Sequence, residues 1–77
     1  MDKIEKFLRR VPHLARRLSA ALRAIKEGRL DNLDIKPMQG APHVFRCRIG
    51  PVRILFLRRD GVNIPFDVDF RGNIYKK

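Results

Sequence analysis

The 77-residue chain has no tryptophan, one tyrosine, one cysteine and two histidines. A lone thiol, Cys47, cannot close an internal disulfide, and with only two histidines beside it a zinc site is not expected. No apolar run approaches the ~20 residues that span a bilayer, and Asp2, Glu5 and many arginines interrupt any signal-type segment. The expectation is therefore a cytoplasmic protein with no membrane contact. Acidic residues are scarce: eight Asp and Glu stand against eighteen Lys and Arg, for a net charge of +10. A field of that strength argues against neutral or cationic partners and points to a polyanion or an acidic protein. The length allows one domain (1–77) with one small core, and leaves no room for a large cofactor site; no cofactor is expected.

What is present is 44% hydrophobic residues in two distinct rhythms. Ile4, Phe7, Leu8, Val11, Leu14, Leu18, Leu22 and Ile25 fall on one helical stripe, and lysines and arginines occupy the rest of the wheel. Pro12 removes a backbone donor and biases Val11 away from the α region. This predicts a short helix at about 3 to 10 and a longer one at about 13 to 27, an αα-hairpin (about 3–27) ended by Gly28 as a left-handed cap. Residues 28–42 carry Asp, Asn, Pro and Gly without a period and are expected as loop. From 43 the period becomes two. Residues 43–49, 52–59 and the run VNIPFDVDF (62–70) read as three antiparallel strands, a sheet of about 43–71, separated by Gly50-Pro51 and Asp60-Gly61. Val62, Ile64, Phe66, Val68 and Phe70 are expected on one face, and Pro65 makes the last strand an edge or puts the proline on an unpaired side. The fold class is α+β, with the helices packed on one face of a three-stranded sheet.

A two-residue Gly50-Pro51 turn sets Arg48 opposite Arg53, Cys47 opposite Ile54 and Phe45 opposite Phe56. One face is then apolar and the other carries Arg46, Arg48 and Arg53, with Leu55 and Leu57 beside them. Two opposed guanidinium groups destabilise a sheet, so folding alone would not select them; a phosphate backbone would, because guanidinium forks match phosphate oxygens bidentately. The plainer reading has Asp67 and Asp69 neutralising these arginines. A strict two-residue Asp60-Gly61 loop sets Arg53 beside Val68. A three-residue loop with Gly61 as a bulge sets it beside Asp67, and this form is preferred. Beyond the last strand, Arg71 and Tyr75 lie four residues apart. Tyr75 can be a rim aromatic, or its phenol, acidified from about 10 by neighbouring arginines, can accept a proton. His13 and His43 read as structural or solvent-facing, and Cys47, alternating with the core residues, as a buried small hydrophobe.

The run Lys36-Pro37-Met38-Gln39-Gly40, then Phe45 to Gly50, Arg53-Ile54-Leu55-Phe56 and Arg71-Gly72-Asn73-Ile74-Tyr75 resembles the RelE/ParE superfamily of bacterial and archaeal toxin-antitoxin toxins, closer to the RelE-type mRNA interferases. The resemblance implies the α+β fold above, lacking the strand that usually precedes the first helix. It further implies a metal-independent, ribosome-dependent endoribonuclease in which the 2′-hydroxyl of the messenger RNA is the nucleophile. Carried over by position, Arg46 and Arg48 bind phosphate, with Lys36 and Lys76 as further RNA contacts. Arg53 grips the scissile phosphate, Arg71 stabilises the transition state and Tyr75 is the general base. Phe70 stands where relatives often have histidine, and arginines replace lysines on the central strand. The implied partners are an acidic antitoxin and mRNA on the ribosome, with rRNA contacts through the basic helices; the oligomeric state stays open. Three alternatives remain: a ParE-like DNA gyrase inhibitor without nuclease activity, an inactive toxin homologue, and a basic amphipathic helical surface for membrane or nucleic acid.

Overall fold

The computed structural model describes residues 2–70. Helix α1 spans Lys3–Arg10. Asp2 caps it by accepting from the Glu5 backbone N–H at 2.8 Å, and Arg9 and Arg10 occupy its last turn, where cations suit the helix dipole. Val11 breaks the helix with φ −128° and ψ 62°, as the residue before a proline tends to do. Pro12 then starts α2, Pro12–Lys26, at a position whose N–H would have no intrahelical partner anyway. Gly28 ends it at φ +76°. The Gly28 N–H donates to the Ile25 carbonyl at 3.1 Å and the Arg29 N–H to the Ala24 carbonyl at 2.9 Å, a left-handed cap that satisfies two orphaned carbonyls.

The sheet has four antiparallel strands, one more than the three expected. They are β1 (Asp34–Pro37), β2 (Val44–Ile49), β3 (Val52–Arg59) and β4 (Val62–Phe70), in the spatial order β1-β2-β3-β4. β1 lies inside the stretch read as loop. It pairs Asp34 with Arg48, Ile35 with Cys47, Lys36 with Arg46 and Pro37 with Phe45. Its four residues contain one apolar side chain besides a proline, so no period-two signal marks it; pairing with β2 makes it a strand.

The β2–β3 register is that of a two-residue Gly50-Pro51 turn, with Arg48 opposite Arg53, Cys47 opposite Ile54 and Phe45 opposite Phe56. The β3–β4 register corrects the sequence reading. Asp60 and Gly61 both take positive φ, 53° and 77°, and form a strict two-residue turn. The extra residue sits in mid-strand instead: Phe56 faces Pro65 and Leu55 faces Asp67, which leaves Phe66 as a bulge. Arg53 therefore lies opposite Asp69, not Asp67 or Val68. Proline cannot donate to the ladder, so the interruption falls where a ladder bond is already missing. The bulge also swaps faces. Val62, Ile64 and Phe66, expected inside with Val68 and Phe70, are exposed by 54%, 45% and 48%.

Both helices pack on one face. Phe7, Val11, Leu18, Leu22 and Ile25 meet Cys47, Ile49, Val52, Ile54, Phe56 and Val68 in a single buried cluster. Each large side chain so buried contributes about 1.5–3 kcal/mol. Phe7 meets Phe70 edge-on at 5.3 Å, tying α1 to the end of β4. Asn63, displaced inward by the bulged register, is buried among them. Its Nδ2 donates to the Ile25 carbonyl of α2 at 3.0 Å, and its Oδ1 accepts from Arg58 Nε at 3.1 Å.

Asn63→Ala removes the amide that ties β4 to the Ile25 carbonyl, which keeps the Gly28 N–H, and should cost about 0.5–1.5 kcal/mol for the lost hydrogen bond. Ile64→Ser, on the face opposite to that assigned by simple alternation, should change stability by less than about 0.5 kcal/mol. Urea denaturation distinguishes the two; a larger loss at Ile64 would contradict the bulged register.

Candidate nucleic-acid interface

Alternation along β2 and β3 sends Arg46, Arg48 and Arg53 to the face away from the helices. No described element packs over that face. Arg46 and Arg53 are nonetheless 5% and 3% exposed. A guanidinium cannot lose its charge, so burial at this level requires counter-charge or hydrogen bonds.

The counter-charge at β2 comes from Asp34, which the sequence reading placed in a loop. Arg46 Nη1 lies 3.6 Å from Asp34 Oδ1 and donates to the Asp34 carbonyl at 3.4 Å. Arg48 Nη1 lies 4.0 Å from Asp34 Oδ2. Asp69 is the register partner of Arg53 on the other side. Asp67, one of the two carboxylates expected to neutralise the arginines, is held by Lys3 of α1, with Nζ 2.6 Å from Oδ1. That hydrogen bond, followed by the charge of Asp67, raises the Lys3 pKa above its ordinary value. Alternation of Asp34, Ile35 and Lys36 against Arg48, Cys47 and Arg46 was the one available sign of β1, legible only after β2 is assigned.

The cluster is thus graded by depth. Arg46 and Arg53 are buried and shape the potential, whereas the Arg48 side chain remains 37% exposed. Lys36, opposite Arg46, is exposed and borders a depression of about 400 Å³ with Met38, Gln39 and Arg46. A phosphate approaching this face meets Arg48 and Lys36 first. Arg71, Tyr75 and Lys76 lie outside the described residues; Phe70, the last described residue, pairs with Val52, next to Arg53 and Asp69.

The remaining candidates lie elsewhere. His13 is exposed at the start of α2. His43, at φ +67°, borders a shallow depression with Arg58, Arg59 and Asp60 at the far end of the sheet. Cys47 is fully buried under the helices, and burial pushes its thiol up to about 11, which leaves no thiolate nucleophile near neutral pH. Among the described residues no group of three or more His, Cys, Asp and Glu side chains is placed to hold a metal ion. No described helix is long and apolar enough to cross a membrane.

Asp34→Asn removes the carboxylate that pairs with Arg46 and Arg48. Affinity for single-stranded RNA at low salt should rise about two- to fivefold, with a log–log salt slope steeper by up to about 0.7. Fluorescence anisotropy reads both, and weaker binding would make Asp34 a support rather than a competitor. For Cys47 the unfolded thiol ionises from about 9.0 and the folded one only near 11. Above pH 9 the unfolded chain therefore binds fewer protons, and the thiol's contribution to stability is lost as pH rises towards 11. Thermal melts should show this loss in the protein and a flatter profile in Cys47→Ala.

Comparison of the chain with protein-family models, curated proteins and solved structures finds no match.

Proposed function

We propose that this protein is the toxin of a toxin-antitoxin system, a ribosome-dependent endoribonuclease that cleaves messenger RNA through the RNA's own 2′-hydroxyl. The observation that carries this reading is the gathering of Arg46, Arg48 and Arg53 on one sheet face, with Arg48 directly opposite Arg53. Opposed guanidinium groups weaken a sheet; Asp34 and Asp69 offset part of that repulsion, and an anionic ligand at the more exposed Arg48 would offset more.

In this mechanism Arg48 and Lys36 dock the phosphates on either side of the scissile bond, while Arg46 and Arg53 supply fixed positive potential behind them. The 2′-oxygen attacks phosphorus, forming the 2′,3′-cyclic phosphate and breaking the bond to the 5′-oxygen. The proton of the 2′-hydroxyl passes to the Tyr75 phenolate, and the departing 5′-oxygen is polarised by Arg71 and takes up a proton from water. The roles of Arg71 and Tyr75 rest on the RelE/ParE resemblance and on their positions after β4. Lys76 extends the RNA contacts, and the basic faces of α1 and α2 suit rRNA. The net charge of +10 calls for an acidic antitoxin, to which exposed Val62, Ile64 and Phe66 on β4 offer an apolar anchor.

Tyr75→Phe and Arg71→Ala should each lower cleavage of a translated message by about 10²-fold or more, and Arg48→Ala should weaken RNA binding. Primer extension on messages after induction locates the cuts. Growth arrest retained by the Tyr75 and Arg71 variants, with intact messages and inhibited DNA supercoiling, would replace this reading with a ParE-like gyrase inhibitor.

A further inference from the structure

We propose that the cleft between α2 and the β1–β2 edge is a subsite for a single nucleotide, seating its phosphate on Arg17 and Arg48 and its base over an alanine floor. This rests on the RNA-directed reading above and adds to it a place where base identity can be read.

The cleft is an open depression of about 420 Å³. Its lining includes Arg17, Ala20 and Ala24 of α2, Asn32 and Asp34 leading into β1, and Arg48 near the end of β2. Ala20 and Ala24 line it with methyl groups, an apolar floor against which a base can lie. The Arg17 guanidinium lies against the Gly50-Pro51 turn: a Cβ at Gly50 would come within 3.4 Å of Arg17 Nη1. Among the described residues Arg17 has no carboxylate partner. The Nε of Arg48 is shielded from solvent and has no hydrogen-bond partner among the described residues. The walls therefore hold two guanidinium groups whose donors are not all used, against one carboxylate, Asp34.

That combination fits a nucleotide better than a peptide. Phosphate takes the guanidinium forks; the Asn32 amide, donor and acceptor in one side chain, can discriminate base edges in unstacked RNA. The cleft also joins the arginine face without a gap, because Asp34 contacts both Arg46 and Arg48. An RNA strand held on that face needs only to turn one nucleotide around β1 to fill it.

The test is a titration of the full chain, isotopically labelled, with the four nucleoside 5′-monophosphates and separately with inorganic phosphate, followed by two-dimensional NMR. Monophosphates should shift the amides of Ala20, Ala24, Asn32 and Gly50, whereas inorganic phosphate should shift Gly50 and leave the alanine floor unmoved. Arg17→Gln should weaken monophosphate binding about tenfold, the usual effect of losing a charged hydrogen bond. Ala20→Leu, which fills the floor at an exposed helical position, should abolish the base-dependent shifts and keep the phosphate response. Spectra of both variants report their folding directly. Absence of cleft shifts at millimolar monophosphate, or shifts that neither variant alters, would overturn the subsite. Messenger cleavage with no monophosphate binding removes the cleft alone; monophosphate binding without cleavage removes the nuclease and leaves the cleft.

Discussion

Arg48 and Arg53 stand face to face across the two central strands, and the arrangement of the outer strands follows from that repulsion. Two guanidinium groups in register cannot be neutralised by either of their own strands, which carry no acidic residue between Val44 and Arg59. The carboxylates must come from outside: Asp34 on β1 and Asp69 on β4, one flanking each arginine. A three-stranded sheet would leave Arg46 and Arg48 without Asp34. The short β1, weak as a strand by composition, is thus tied to the sheet by charge as well as by ladder hydrogen bonds.

The bulge at Phe66 performs the matching task on the other side. It brings Asp69 opposite Arg53 and returns Val68 to the core, while the strict two-residue turn sets Asn63 inward against the last turn of α2 and Val62 and Ile64 outward. Turn and bulge together couple the charge pattern of the arginine face to the anchoring of the helix on the covered face. The sheet gives up inward-facing apolar area in the first half of β4 and gains a satisfied buried amide together with a counter-charge.

The arginine face is graded rather than uniformly basic. Arg46 and Arg53 are buried and fixed, whereas Arg48 and Lys36 can reach a ligand. Buried cations cost no reorganisation when negative charge arrives, and exposed ones make the first contact. Arg17 and the alanine-floored cleft extend the same logic around the β1 edge to α2.

Local rules read directly from the chain account for much of this molecule. The helical stripe, the Val11-Pro12 break, the Gly28 cap and the Gly50-Pro51 turn each depend on neighbours within a few positions, so the helix limits and the β2–β3 register follow from sequence. The same register places Arg46, Arg48 and Arg53 on one face. Long-range pairing decided the rest: β1 is a strand because β2 offers it a ladder and Arg48 offers Asp34 a charge. The bulge sits at Phe66 because Pro65 withholds a donor while Asn63 finds a carbonyl on α2. A polar residue's face is set by the partner it meets, and that partner lies far away along the chain; alternation alone therefore names the sheet but not which side of β4 is wet.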